Sequence, residues 1–310
     1  MKRRFCDRYR LARARDEAIL LDLESGSYFG VRDAALTACI ALMADARIDA
    51  AANEVAKKFD VSREKAKRDI EAFLSRLRRG RRKSHGSQFR VTATGYELRG
   101  PRGASVMIAL DGTVRRRRAD SNLLRVAAPH VLAIAGETVL HASAILDAGQ
   151  TIAFVAASGT GKTTIARLLE NRGRPRISDD LVALDSKLRV RVDGERAIRE
   201  WSRSRERIFT DPALVGCAPT TAPIGAVMLV ERTEGLDHVQ IDRIGKIAGM
   251  TALFENAFVE LPVPCVWARA LDVSRRFVAR KIVYAMRVPE GTRNLSRALR
   301  EWAARGMPRP

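Results

Sequence analysis

The residues best suited to chemistry form a glycine-containing loop at Ala156–Thr163. Gly159 and Gly161 allow successive backbone N–H groups to point inward at an oxyanion, and the start of the following helix adds a partial positive charge. Lys162 can reach the β- and γ-phosphates of a nucleotide, and the Thr163 hydroxyl can bind Mg²⁺. The pattern predicts a P-loop that binds ATP and Mg²⁺. The predicted nucleotide contacts are Ala157, Ser158, Gly159, Thr160, Gly161, Lys162, Thr163 and Thr164.

One residue departs from the P-loop pattern, because Ala156 stands where the motif has its first glycine. A positive φ would strain an alanine, since its Cβ clashes with the backbone there. We therefore expect the chain to enter the loop with a backbone conformation that alanine can adopt.

Two neighbouring carboxylates, Asp179 and Asp180, follow the loop by one helix and one strand. Phosphoryl transfer needs a carboxylate for the metal, and a hydroxyl acceptor benefits from a base. Alternation along a strand would point the two side chains in different directions, so one can face the metal and the other the acceptor. An ordinary Asp-Asp turn is the alternative. His141, on the strand before the loop, is either a structural residue or a catalytic one.

The elements that must position these residues alternate between strands and helices, which predicts a mixed α/β fold. We expect strands at Val139–Leu146, Thr151–Ala156 and around Arg176–Leu184, a helix at Lys162–Asn171, and later helices at Ser274–Met286 and Asn294–Arg305. Arg232, after a strand at Ala226–Val230, is left out of the site because no pattern assigns the arginine that would stabilise the transferred phosphate.

The first 80 residues have a different pattern from the rest. Apolar runs at Ala18–Leu23 and Tyr28–Val31 predict a β-hairpin, and three amphipathic helices follow, as in a small winged-helix-like module. The apolar stripe of the third helix ends in the basic run Arg76–Lys83, and Ser84–Ser87 follows. We therefore predict two domains, residues 1–82 and 88–310.

Composition limits the partners and the compartment. Lys and Arg number 56 against 36 acidic residues, for a net charge of +20, which attracts polyanions and acidic peptides. Cys6, Cys39, Cys217 and Cys265 form no C-x-x-C pair, which argues against a disulfide framework and a zinc site. No stretch approaches the roughly 20 apolar residues of a membrane helix. We expect a soluble cytoplasmic protein with no membrane partner, and the oligomeric state stays open, including a homo-oligomer.

The site residues resemble the catalytic domain of HPr kinase/phosphorylase. The resemblance is carried by Leu140–Ser143, Ser158–Thr163, Arg172-Gly173 and Ser178–Asp180, in that order and spacing. It implies that Asp179 is the base, that Asp180 and Thr163 hold Mg²⁺, and that His141 lies near the transferred phosphate. With Lys162 from the loop, the expected catalytic residues are Asp179, His141 and Lys162. The family's downstream Arg-Gly-Leu-Gly-Ile-like segment, which is tied to phosphorolysis, is not visible. A kinase without the phosphorylase activity is therefore expected.

The N-terminal segment is similar to PqqD-like domains, through the hairpin Leu20–Val31 and the end of the third helix at Ile70–Leu74. That resemblance implies capture of the leader of a ribosomally made precursor peptide by strand addition. Together the two resemblances imply an ATP-dependent kinase of a Ser or Thr hydroxyl on such a peptide, as in lasso-peptide tailoring. A DNA-binding regulator with an ATP-sensing domain and a kinase of HPr or of a small molecule are the alternatives.

Overall fold

The computed structural model describes residues 4–78, 89–157, 159–192, 208–209, 221–258 and 263–305, and shows the predicted mixed α/β fold. Ser158, most of the basic run at Arg76–Lys83 and the predicted domain boundary lie outside the described residues. The chain divides into two compact units. The N-terminal unit contains Met1–Ser84, Gly245–Thr251 and Pro262–Ala279, and the C-terminal unit contains the remainder. Across the described ranges, every helix is too short or too polar to traverse a lipid bilayer.

The N-terminal unit begins with an antiparallel sheet followed by helices. The predicted hairpin is confirmed, and a strand that was not predicted, β1, pairs with its first strand, so the sheet order is β1-β2-β3. The apolar sides of the sheet and helices form two adjoining buried clusters. The elements are α1 (Phe5–Arg8), β1 (Tyr9–Ala14), β2 (Glu17–Asp22), β3 (Tyr28–Arg32), α2 (Asp33–Met43), α3 (Ile48–Phe59) and α4 (Arg63–Arg78).

Two segments far along the chain also belong to the N-terminal unit, whereas we predicted both in the C-terminal domain. Trp267, in a helix with an apolar buried side, is 1 % exposed, and its ring lies against Gly26 in the β2–β3 turn. Lys246 forms an ion pair with Asp16 in the β1–β2 turn, at 2.5 Å. The short N-terminal sequence thus completes its core with residues that lie more than 200 positions away.

A mixed sheet at the centre of the C-terminal unit positions the site. β8 lies antiparallel to β9, β10 and β11, while β14 lies parallel to both β9 and β16. The strands are β8 (Thr138–Asp147), β9 (Gln150–Val155), β10 (Arg176–Ser178), β11 (Leu181–Leu184), β12 (Arg189–Arg191), β14 (Thr221–Thr233), β15 (Gln240–Arg243) and β16 (Val283–Pro289). The helices are α5 (Ser121–Ala135), α6 (Lys162–Glu170), α7 (Lys246–Glu255), α8 (Pro264–Ala279) and α9 (Thr292–Arg305), of which α8 and the start of α7 belong to the N-terminal unit.

The predicted helix at Ser274–Met286 is wrong in its second half. Helix α8 ends at Ala279, Lys281 adopts a positive φ, and Val283–Pro289 form β16 inside the sheet. β-branched and aromatic residues suit a buried strand, and pairing with β14 outweighs the helical pattern that continues from α8. A smaller sheet, β4 (Phe89–Val91), β5 (Gly95–Arg99), β6 (Ser105–Ala109), β7 (Val114–Arg117) and β13 (Ile208–Phe209), packs one face on α5.

Candidate active site

The predicted P-loop connects β9 to α6. β9 is buried along nearly all of its length. Ala156, the first residue after β9, is 7 % exposed and does not have a positive φ, as we expected for an alanine at this position. Gly159 and Gly161 have φ values of 83° and 100°, a conformation that side chains with a Cβ rarely adopt. Gly161 is the N-cap of α6, so the loop ends where the helix directs its first N–H groups outward.

Lys162 folds back over the loop that precedes it. Its Nζ donates hydrogen bonds to the carbonyl oxygens of Ala156 (2.8 Å) and Ala157 (3.2 Å). The side chain is 6 % exposed, and burial lowers the pKa of the ammonium while the charge of Asp180 opposes that shift. Lys162 therefore places a buried positive charge at the loop, while Thr163 and Thr164 follow it, half-buried, in the first turn of α6.

The two aspartates lie between β10 and β11, which both pair with β8 rather than with the loop strand β9. β8 separates them from β9, yet the Thr163 hydroxyl donates to the Asp179 carbonyl at 3.3 Å. The Asp179 carboxylate forms an ion pair with Arg176, which also contacts Glu170 at 2.9 Å. Long-range pairing thus brings Asp179 to the first turn of α6.

Asp180 faces a different partner. Its Oδ1 lies 2.7 Å from Nε2 of His141. This hydrogen bond lowers the pKa of the Asp180 carboxyl, and the charges of His141, Lys162 and Arg125 act in the same direction, against the opposing effect of burial. Asp180 is therefore ionised at neutral pH. The two carboxylates have different partners, as expected, but both residues lie in the bend between β10 and β11, so alternation along a strand is not the cause.

His141 is held in place by a segment that the sequence did not single out. Its backbone N–H donates to the Asn256 carbonyl at 2.7 Å, and the centroids of the His141 and Phe258 rings lie 6.0 Å apart in an edge-to-face arrangement. No motif marked this segment, because it contributes only a backbone carbonyl and an aromatic ring contact. Arg176 and Arg232 were also missed as contacts of the site. Arg232 donates from Nε to the Thr160 carbonyl at 2.8 Å.

The residues present fit a magnesium nucleotide better than a free-standing metal centre. In the described ranges, no three His, Cys, Asp or Glu side chains cluster as a metal site would require. Mg²⁺ commonly takes one or two protein oxygens and completes its coordination with water and substrate phosphates. The Thr163 hydroxyl and the Asp180 carboxylate are hard oxygen donors of that kind, and Gly159 and Gly161 have the positive φ values that an anion-binding nest uses.

The N-terminal unit carries a second candidate site, on α2, α3 and α4. A cavity of about 390 Å³ opens between these helices. Its lining is mostly apolar, with Ala38, Phe59 and Phe73 among its walls and Lys65, Asp69 and Arg76 as its charged members. A cavity of this size and polarity suits an apolar side chain of a bound peptide.

Strand β3 lies at one end of the small sheet, and in the described residues no strand pairs with its outer edge. The Asp22 N–H donates to the Ser27 carbonyl at 2.8 Å. Because hydrogen-bonded pairs alternate along an antiparallel ladder, the backbone groups of Tyr28 and Gly30 face away from β2. The backbone groups of Gly30 could pair with an added strand.

Comparisons with known proteins give a family match for part of the N-terminal unit. No curated protein matches the chain. A solved structure, the Hpr(Ser) kinase/phosphatase from Coxiella burnetii, is 11 % identical in sequence to this chain. The match covers 54 % of this chain and 97 % of the Coxiella chain, with a TM-score of 0.22. A score this low does not establish a shared fold. Residues 17–81 match the family model for Coenzyme PQQ synthesis protein D (PqqD). The N-terminal unit therefore contains a PqqD-like domain at residues 17–81.

Proposed function

We propose that this chain is an ATP-dependent phosphotransferase that phosphorylates a Ser or Thr hydroxyl of a ribosomally made precursor peptide, whose leader binds the N-terminal unit. A lasso-type precursor is the substrate class that the resemblance suggests. The observation that carries the proposal is the convergence of five predicted residues at the start of α6. Lys162 and Thr163 come from the loop and helix, Asp179 and Asp180 from the β10–β11 segment, and His141 from β8.

The chemistry follows from what these groups offer. The loop amides, the helix N-terminus and Lys162 are arranged to bind the phosphates and to stabilise negative charge that develops on the transferred group. Thr163 and ionised Asp180 would hold Mg²⁺, which when bound neutralises phosphate charge. His141 orients Asp180 through its 2.7 Å hydrogen bond. Asp179, at the other side of the turn, is the residue we assign as the base for the acceptor hydroxyl.

Capture of the peptide is supported by the PqqD-like domain, the open edge of β3 and the apolar cavity between α2, α3 and α4. An extended leader would gain backbone hydrogen bonds along β3 and specificity from a side chain in the cavity. Linking capture and transfer in one chain raises the effective concentration of the acceptor, so the catalytic site needs little affinity for it.

Two other functions make different predictions. A DNA-binding regulator would bind duplex DNA with an affinity that falls steeply with salt, and it would form no phosphorylated product. A kinase of HPr or of a small molecule would phosphorylate those acceptors and ignore precursor peptides. The basic composition, with a net charge of +20, is compatible with each of them and favours none.

The test is phosphate transfer from ATP to peptides encoded by short reading frames beside this gene, followed by mass spectrometry. We expect Lys162→Ala and Asp180→Asn to lower transfer by about 10²-fold or more, since each removes charge stabilisation at the phosphates or the metal. Lys187→Ala is the control for the lysine, because Lys187 is an exposed residue of the β11–β12 turn. Asp237→Asn is the control for the aspartate, because Asp237 also pairs with a histidine at 2.7 Å. Wild-type transfer by both site variants would refute the proposed mechanism.

A further inference from the structure

Arg232 occupies the end of β14 that lies beside the phosphate-binding loop. β14 runs parallel to β9, and Leu229 is level with Val155, so Arg232 stands three residues beyond the point where β9 gives way to the loop. The side chain is half-buried. A half-buried charged residue in this position, beside β16 and past the end of β9, has to satisfy its donors locally.

The guanidinium joins the loop to a neighbouring strand. Its Nε donates to the Thr160 carbonyl at 2.8 Å, and its Nη1 donates to the Pro289 carbonyl, at the end of β16, at 2.9 Å. Lys162 binds the carbonyls of the first half of the loop, at Ala156 and Ala157. Arg232 and Lys162 therefore hold the carbonyl oxygens of opposite halves of the same loop.

Holding the Thr160 carbonyl fixes an amide that a phosphate would use. The Thr160 carbonyl and the Gly161 N–H belong to one planar trans peptide, so they point in opposite directions. With the oxygen bound to Arg232, the Gly161 N–H is directed away from that arginine. A phosphate-binding loop works only while such N–H groups converge on one point.

The glycine at 161 is tied to the same arginine. A Cβ built on Gly161 would overlap Arg232 Nη2, whereas a Cβ built on Gly159 would meet nothing within 4 Å. Both glycines have a positive φ, so replacing either strains the backbone, but only residue 161 also displaces the guanidinium. Position 161 therefore favours glycine for two causes, the positive φ and the close approach of Arg232.

We propose that Arg232 is a positioning residue, which holds the Thr160–Gly161 peptide so that the loop amides stay arranged for phosphate binding. The inference rests on the proposed function, because it assumes that the loop binds a nucleotide. It differs from a direct role on the transferred phosphate, because the proposed role uses Nε and Nη1, which bind protein carbonyls and not the substrate.

The experiment measures Mg·ATP binding by calorimetry and amide hydrogen exchange at the start of α6 without nucleotide. We expect Arg232→Lys, which keeps the charge but loses the planar fork, to weaken binding about tenfold and to speed exchange at Gly161–Thr163. Arg287→Lys is the matched control, because Arg287 lies on the adjacent strand β16 and contacts Asp242 at 3.0 Å. We expect that variant to bind Mg·ATP as the wild type does.

The glycine variants give an independent reading. Gly161→Ala should bind Mg·ATP more weakly than Gly159→Ala. Adding Arg232→Ala to Gly161→Ala should weaken Mg·ATP binding less than Arg232→Ala does in the wild type, because Arg232 no longer overlaps the Cβ of residue 161. Wild-type binding by Arg232→Lys together with loss in Arg232→Ala would overturn the inference in favour of a purely electrostatic role. If both Arg232→Lys and Lys162→Ala bind Mg·ATP as the wild type does, the proposed function itself fails. Loss in Lys162→Ala alone would refute only the role of Arg232.

Discussion

At the scale of single residues, the site places two adjacent carboxylates in different surroundings. The hydrogen bond from His141 lowers the pKa of Asp180, which suits a group that must stay charged beside a metal. Asp179 instead forms an ion pair with Arg176, so its carboxylate would have to exchange that partner for an acceptor hydroxyl. Arg176 keeps Glu170 as a second partner, at 2.9 Å, so it would not be left without a counter-charge.

This arrangement separates a catalytic role of Asp179 from a structural one. We expect Asp179→Asn to retain Mg·ATP binding and to lose about 10²-fold or more of peptide phosphorylation, because the amide cannot accept the hydroxyl proton. Arg176→Ala breaks the same ion pair and leaves the Asp179 carboxylate in place. Transfer should therefore survive better in Arg176→Ala than in Asp179→Asn. Equal losses in the two variants would mean that the ion pair matters rather than the base.

At the scale of elements, the N-terminal unit depends on helix α8 as much as on its own strands. Trp267 is among the largest fully buried side chains and lies against Gly26. Deleting residues 1–82 would expose Trp267 and the rest of the apolar side of α8 to water. Point substitutions on α4 are therefore the better test of peptide capture.

Ala72 is exposed on α4 and lines the cavity, whereas the neighbouring Glu71 is exposed and does not. We expect Ala72→Trp to fill the cavity and to weaken peptide binding by about 2 kcal/mol, roughly 30-fold, while Glu71→Trp binds the peptide normally. Fluorescence anisotropy with the labelled precursor peptide measures both, and calorimetry should show unchanged Mg·ATP binding. Identical peptide affinities in the two variants would exclude the cavity as the binding site.

At the scale of the whole molecule, the net charge of +20 makes the folded chain sensitive to added protons. His130, in α5, is 4 % exposed with its ring 5.9 Å from that of Phe258. Burial lowers the pKa of its imidazole to about 4. In the unfolded chain the same group takes up its proton near the ordinary value of 6.5.

Between these two values the unfolded chain binds more protons than the folded one, so the stability due to His130 is complete above pH 6.5 and falls as the pH drops towards 4. From pH 8 to pH 5 we expect a loss of about 2 kcal/mol in the free energy of unfolding from this group. His130→Phe, or His130→Gln should the first variant not fold, should show a smaller loss over the same range. Urea unfolding at the two pH values measures the difference, and parallel losses in the variant and the wild type would contradict it.

Much of the site could be predicted from sequence because its parts are local. The glycines and Lys162 lie within a few residues of one another, and a buried strand before them and a helix after them suffice to make the pattern recognisable. The hairpin at residues 17–32 was equally local. Asp179 and Asp180 were singled out by residue type, whereas the pairing of the flanking strands β10 and β11 with β8 was not predicted.

By itself, the sequence determined which residues are chemically able to bind a phosphate and a metal, and where the loop and hairpin begin. Only the tertiary structure decided that Arg232 holds a carbonyl 72 positions earlier, that Trp267 belongs to the N-terminal unit, and that Val283–Pro289 form a strand. The reason is physical. Local backbone conformation depends on residues that are close in the sequence. Contacts between distant segments depend instead on packing and strand pairing, which form only when the chain has folded.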